Sequence, residues 1–239
     1  MWLFSNKVTV RDSGLLEGFR DCHCHLLPGV DDGVQDKNEA LLILEEWDLD
    51  GVKEVWLTPH IMEDIPNEAV ALRNKLEFLT AYYKGNIKLH LAAEHMMDGL
   101  FIKLLEGNDV MPIGRGRDKL LVETSYYTPP MNMTNVIEMV NTKGFSPILA
   151  HPERYQYMDR NDYKLWKRRG LLLQLNVPSL VGAYGPEVQQ KAEWLLKENM
   201  YDYCGTDTHS IGQMEIFLNS NISMKTVKKV KHLSENQKL

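Results

Sequence analysis

Six strand-like runs of this chain end in a histidine or a carboxylate, and helical patterns separate them. The first run is Asp21-Cys22-His23-Cys24-His25, which leads into Leu26-Leu27-Pro28-Gly29-Val30-Asp31-Asp32-Gly33. Thr58-Pro59-His60 follows a second run over 53–57, and Glu94 closes a third that starts at Ile87. Glu123 closes the run 119–123, His151 follows 146–150, and Asp207 and His209 follow 201–206. Strands that alternate with helices over short links form a parallel sheet, open or closed into a barrel, whose βα loops converge beyond the C-terminal strand ends. Histidine and glutamate are poor residues to bury without partners, so this repetition implies one shared polar centre.

The remaining pattern fits an α/β fold. Asp36-Lys37-Asn38-Glu39 has the form of a capping box and opens a helix carrying Leu41, Leu42, Leu44 and Trp47 to a stop at Gly51. Further helices are expected over 67–83, 99–105, 133–143, 162–169 and 186–199, with an extended run over 171–175. No repeat or Ser/Gly-rich linker divides the 239 residues, so one domain is expected over 1–239, with an N-terminal extension over 1–18 and a loose basic helix or tail from about 225. The net charge of -6 argues against a nucleic-acid partner. Met1-Trp2-Leu3-Phe4 is apolar, but Lys7, Arg11 and Asp12 interrupt it. No apolar run nears the roughly 18 residues of a membrane span. A cytoplasmic location without stable membrane insertion is expected, and three cysteines suit a reducing compartment. Nothing in the sequence fixes an oligomeric state.

Alternate side chains of a strand share a face, so Asp21, His23 and His25 would point one way, and Cys22 and Cys24 outward against helices. His23 and His25 then form a metal-binding strand end. Asp21 is expected to orient a ligand histidine, and Asp31 to be a turn residue. His95 would point away from Glu94, and His90, His95 and His232 are read as structural or solvent-facing. Tyr126, Tyr127, Tyr155 and Tyr157, with Met96 and Met97, either line a cleft for an aromatic group or simply pack.

The ordered motifs Asp-x-His-x-His-x-x-Pro-Gly-x-Asp-Asp-Gly, Thr-Pro-His, Ala-Ala-Glu, His-Pro-Glu-Arg-Tyr and Gly-Thr-Asp-Thr-His run from Asp21 to His209. In them the chain resembles the PHP (polymerase and histidinol phosphatase) superfamily and, within it, the bacterial capsule-regulating protein-tyrosine phosphatases of the CpsB/CapC/YwqE-like group. The resemblance implies a distorted seven-stranded (β/α) barrel with three divalent metals, manganese foremost, with iron, zinc or magnesium as alternatives. It implies that His23, His25, Glu94 and Asp207 hold one metal, that Glu94 bridges to a second held with Glu123 and His151, and that Asp32, His60 and His209 hold a third. Arg154 would bind the substrate phosphate, and Arg154, Asp207 and His209 would serve catalysis.

The implied reaction is hydrolysis of phosphotyrosine on the tail of an exopolysaccharide-system tyrosine kinase, by attack of a metal-bridging hydroxide. Three divalent ions, about +6, against about -4 from Asp32, Glu94, Glu123 and Asp207, leave a centre that attracts a phosphate dianion. The commoner tyrosine-phosphatase chemistry needs an arginine six residues after a cysteine. Pro28, Val30 and Ser210 stand six residues after Cys22, Cys24 and Cys204, so that loop is absent. Where the resembled group tends to carry a basic residue after Asp-x-His, this chain has Ser210, Ile211, Gly212 and Gln213. Phosphate recognition would then lean on the metals and Arg154. A small-molecule phosphatase of the histidinol-phosphate type, a PHP-type phosphodiesterase or nuclease, and a non-catalytic metal-binding regulator are the alternatives.

Overall fold

The computed structural model describes residues 7–239; the Met1-Trp2-Leu3-Phe4 start and the rest of 1–6 lie outside the described residues. β1 (Lys7–Thr9) leads through a short turn to β2 (Arg20–Cys24) and α1 (Lys37–Leu49). β3 (Glu54–Leu57) and β4 (His60–Ile61) precede α2 (Ala69–Tyr82), and β5 (Lys88–Leu91) and β6 (Glu94–Met96) precede α3 (Gly99–Gly107). β7 (Lys119–Glu123), α4 (Met133–Thr142), β8 (Ser146–Leu149), α5 (Arg160–Arg168), β9 (Leu172–Asn176), α6 (Pro186–Lys197) and β10 (Tyr203–Gly205) follow in regular alternation. The chain ends with α7 (Ile211–Asn219), β11 (Asn221–Ser223) and α8 (Met224–Asn236).

The strands pair in parallel as β2-β3-β5 and as β10-β9-β8-β7-β6-β4, while β1 and β11 form a separate antiparallel ribbon. The two parallel groups are joined along the chain, since β3 runs into β4 across Thr58-Pro59 and β5 into β6 across Ala92-Ala93. Backbone bonds cross these breaks, with Ala92 N donating to Leu57 O at 3.0 Å and Glu94 N to Pro59 O at 3.1 Å. Beyond β10 the backbone returns to β2: Asp207 N donates to His23 O at 2.7 Å, and His25 N donates to Thr208 O at 2.9 Å. The result is a curled parallel sheet wrapped by helices.

Local sequence explains the helix ends. Asp36 accepts from Asn38 N and Glu39 N and so caps α1, but Glu39 does not close the expected box; its carboxylate accepts from Ile211 N at 2.9 Å and ties α1 to α7. The buried face of α1 is Ala40, Ile43, Leu44 and Trp47, at helical spacing. Leu42, counted among the apolar positions of that helix, is 53% exposed. α5 begins before the expected Asp162, because Asp159 forms a full capping box with Asp162.

Two expectations are corrected. The segment from 225 is not loose: it is α8, with Val227, Val230 and Ser234 buried, and Ser234 and Gln237 hydrogen-bonded to the backbone of Arg20. Its lysines hide the apolar i, i+3 positions when only composition is read. Cys22 does not pack outward, since the β2–β3 register shifts between Asp21 and Cys24. Cys24 joins the helix-facing core, whereas Cys22 joins a smaller cluster with Trp56, Leu121, Ile148 and Tyr203. Among the described residues no helix is long and apolar enough to cross a membrane.

Candidate metal centre

The strand ends meet around Glu94, a fully buried carboxylate. One Glu94 oxygen lies 3.1 Å from His23 Nε2, 3.4 Å from His25 Nε2 and 3.2 Å from His60 Nδ1. The other lies 2.9 Å from His151 Nε2. Glu123 adds one oxygen 3.0 Å from His60 Nδ1 and another 3.9 Å from His151 Nε2. Asp207 Oδ1 sits 3.3 Å from His23 Nε2 and 3.4 Å from His25 Nε2. At the rim, Asp32 Oδ1 is 3.4 Å from His60 Nε2 and 3.5 Å from His209 Nε2.

Eight of the nine sequence-derived metal positions fall in three overlapping sets able to hold a cation: His23, His25, Glu94 and Asp207; His60, Glu94 and Glu123; and His25, Asp32, His60 and His209; His151, expected beside Glu94 and Glu123, is in none of these sets and meets the cluster through Glu94. His60 thus reaches the Glu94–Glu123 pair as well as Asp32, and His25 adjoins two of the sets.

The donor chemistry fits bound cations. His23 Nε2 and His25 Nε2 are only 3.0 Å apart, and carboxylates can only accept. His60 Nδ1, Glu123 Oε1 and Asp207 Oδ1 are buried without a hydrogen-bond partner among the described residues. Converging lone pairs without donors are what a cation satisfies, and mixed histidine and carboxylate ligands suit Mn, Fe or Zn. Charge in the cluster shows the same demand. Burial and the neighbouring His25 oppose protonation of His60, yet Glu94, Asp32 and Glu123 push its pKa up to about 10. Hydrogen bonds from His209 and His60 hold Asp32 well below the usual carboxylate range. Metal binding would displace those protons.

Backbone geometry at two motif glycines is specific. A Cβ on Gly33 would lie 2.2 Å from His25 O, and one on Gly205 would lie 2.7 Å from the Cβ and N of His23. His151 and Asp207 take left-handed backbone conformations, at φ 34° and 53°, which L-residues hold only when their surroundings compel it. The compelling contacts are His151 N donating to Gln174 Oε1 at 3.0 Å and Asp207 N donating to His23 O.

Support for the candidate ligands differs from expectation. Asp31 is no mere turn residue: its Oδ2 meets His25 Nδ1 at 2.8 Å and accepts from His60 N, leaving His25 Nε2 free to face the cluster. Asp21 makes no hydrogen bond to an imidazole ring among the described residues. It accepts from His23 N and from the N and Oγ1 of Thr206, pinning β2 to the end of β10; burial raises its pKa to about 6. Gln174, passed over in the sequence, places Oε1 3.2 Å from His23 Nδ1. A lone amide within the apolar run Leu172-Leu173-Gln174-Leu175 was its signal.

Arg154 is held rather than solvated. Its Nη1 donates to Asp207 Oδ2 at 2.7 Å, and its guanidinium lies 4.4 Å from the ring centres of both Tyr126 and Tyr184. Tyr184 carried no motif. Asn176 Nδ2 donates to the same Asp207 oxygen at 3.2 Å. Glu153 is not the partner of Arg154; it is buried and accepts from Asn176 N and from the Tyr201 hydroxyl. Tyr155 packs in the core and Tyr127 is exposed, so of the tyrosines named from sequence only Tyr126 reaches Arg154. His95 is buried between Leu121 O and Met111 N, and His90 faces Glu54, so neither belongs to the cluster.

The sequence model for capsular polysaccharide synthesis proteins of the CpsB/CapC type matches residues 19–235. The chain belongs to the CpsB/CapC family. It is 27% identical over 198 residues to CapC of Staphylococcus aureus, covering 80% of this chain and 77% of that protein. It is 26% identical over 203 residues to the tyrosine-protein phosphatase YwqE of Bacillus subtilis, covering 80% and 77%. Among solved structures it matches a chain from the work on YwqE and Streptococcus pneumoniae CpsB, described as unique metal-dependent tyrosine phosphatases, with TM-score 0.74, 20% identity and coverage of 91% and 94%. The CpsB/CapC fold is therefore shared over nearly the whole chain.

Proposed function

We propose that this CpsB/CapC member is a metal-dependent protein-tyrosine phosphatase that hydrolyses phosphotyrosine on the tail of an exopolysaccharide-system tyrosine kinase in the cytoplasm. The observation that carries the reading is the convergence of histidine and carboxylate lone pairs on Glu94, with Arg154 fixed at the edge of the same cluster. Named relatives of this family are tyrosine-protein phosphatases, which supports the substrate class.

In this reading three divalent metals, manganese foremost with iron, zinc or magnesium as alternatives, are held by His23, His25, Asp32, His60, Glu94, Glu123, His151, Asp207 and His209. Bound metals would supply Lewis-acid stabilisation of phosphoryl charge and a water made acidic enough to attack at neutral pH. The chain supplies the rest. Beside its Asp207 contact Arg154 has N–H groups without a partner among the described residues, which would take phosphate oxygens, and Asp207 links that arginine to the ligand set. His209 donates from Nδ1 to Asp207 O at 2.8 Å, leaving Nε2 to face Asp32 at the rim. We read the curled sheet as a seven-stranded barrel within one domain, counting β2, β3 with β4, β5 with β6, β7, β8, β9 and β10.

The test is a side-by-side assay of a phosphotyrosine peptide, histidinol phosphate and a phosphodiester with the metal-loaded protein. Preferred turnover of the peptide is expected. Preference for histidinol phosphate or for the diester would reject the substrate assignment.

A further inference from the structure

Arg154 stands beside a buried carboxylate and yet does not close on it. A guanidinium free to turn meets a carboxylate with two parallel N–H···O bonds. Among the described residues Arg154 makes one, from Nη1 to Asp207 Oδ2 at 2.7 Å, and shares that oxygen with Asn176 Nδ2. Its remaining neighbours are aromatic: Cζ lies 4.4 Å from the ring centres of both Tyr126 and Tyr184, each ring presenting its face to the cation. Those faces are electron-rich, and their attraction for a cation grows where water is scarce, as at a side chain only 18% exposed.

Both rings are themselves fixed. Tyr126, on the loop after β7, stacks on the fully buried Tyr155 at 5.9 Å with 27° between the planes. Its carbonyl accepts from Gln156 N at 2.8 Å, which ties that loop to the one carrying Arg154. Tyr184 sits in the turn before α6, between Gly182 and Gly185, whose backbones are left-handed at φ 85° and 92°. Gly185 N donates to Gly182 O at 3.1 Å and closes the turn. Glycine alone takes such φ values without steric cost, so Gly182-Ala183-Tyr184-Gly185 holds the tyrosine on a tight, defined loop.

We propose that Tyr126 and Tyr184 are positioning residues that clamp Arg154 in its single-bonded pose on Asp207, so that its other N–H groups stay available to an incoming phosphate. The proposal rests on Arg154 as the phosphate ligand of the reading above. Without a ring the guanidinium would turn onto Asp207 with two nitrogens, and phosphate would have to displace that pair although charge and side chain were still present. Loss of either ring should therefore weaken phosphate capture by about 2 to 30-fold, the range of one cation–π contact.

The test measures binding of inorganic phosphate by calorimetry, and kcat/KM on a phosphotyrosine peptide, for magnesium-loaded wild type, Tyr184→Leu, Tyr184→Phe, Arg154→Ala and Arg154→Ala/Tyr184→Leu. The Arg154 Nε–H signal of ¹⁵N-labelled protein, assigned by its loss in Arg154→Ala, reports the clamp without turnover. Tyr184→Leu should shift that signal and weaken phosphate binding and kcat/KM together by about 2 to 30-fold, with metal content unchanged. Tyr184→Phe keeps the ring face and should recover most of both, and Tyr184→Leu should cost nothing further once Arg154 is alanine. Tyr126→Leu is read in the same way and keeps the test decisive should Tyr184→Leu fail to fold. Wild-type phosphate affinity in the leucine variants, an equal loss in the Arg154→Ala background, or no recovery in Tyr184→Phe would each overturn the proposal. Phosphate binding that follows the expected pattern without hydrolysis of the peptide would support the clamp and reject the phosphatase reading instead.

Discussion

Replacing Arg154 with alanine separates phosphate capture from metal retention, because the two oxygens of Asp207 face different ways. Oδ1 faces His23 and His25, while Oδ2 takes the Arg154 and Asn176 donors. Losing the guanidinium leaves Asn176 on Oδ2 and Oδ1 untouched, so the metals should stay. What is lost is a cation whose faces are covered by Tyr126 and Tyr184 and whose side chain is only 18% exposed. A cation so confined surrenders little further freedom on meeting phosphate, and removing such a preorganised donor costs roughly 1.4–4 kcal/mol of transition-state stabilisation, or about 10 to 1000-fold in kcat/KM. Arg154→Lys keeps the charge but neither the plane nor the fork, and should recover only part of it. The assay is steady-state hydrolysis of a phosphotyrosine peptide, with metal content and melting temperature measured on the same samples. Unchanged kinetics in Arg154→Ala with metals still bound would refute the reasoning.

Other consequences are equally direct. Cys22, Cys24 and Cys204 are buried, with thiol pKa values pushed well up by burial, so the three Cys→Ser variants should keep activity; a large loss in a folded variant would indicate covalent chemistry. Asp31→Ala frees the His25 ring and should weaken metal binding about 10 to 100-fold in chelator competition without unfolding the protein; undiminished affinity would remove Asp31 from that role. His95 is buried and its pKa is lowered from the ordinary 6.5 to about 4, so the unfolded chain takes up the proton first. The stability present above pH 6.5 should thus fall by about 3 kcal/mol as pH drops towards 4, and His95→Gln, which can keep both backbone contacts, should flatten that window in denaturant titrations. Parallel curves for the two proteins would contradict this.

The convergence of these side chains is legible in the sequence because they sit at strand ends, where a periodic apolar run stops at a residue that is costly to bury. Lys119 to Glu123 is such a run, and its bounds match β7. Hidden features were those set by tertiary contact. Asp31 looked like turn chemistry because its partner, His25, lies across the loop, and Glu39 looked like half a capping box because nothing local announces Ile211. The shift that turns Cys22 inward comes from the register of β2 against β3, which strict alternation cannot anticipate. The packing of α8 is masked in composition because its lysines outweigh its apolar stripe, although Val227 and Val230 have helical spacing.

The central claim is tested most directly by removing metal from the purified protein and restoring it stepwise, while measuring bound divalent ions and phosphotyrosine-peptide hydrolysis together. No turnover is expected in the metal-free protein, with full recovery at two to three bound equivalents. Glu94→Gln should lose more than one equivalent, since Glu94 contacts His23, His25, His60 and His151 at once. Full activity with one bound metal or none would contradict it.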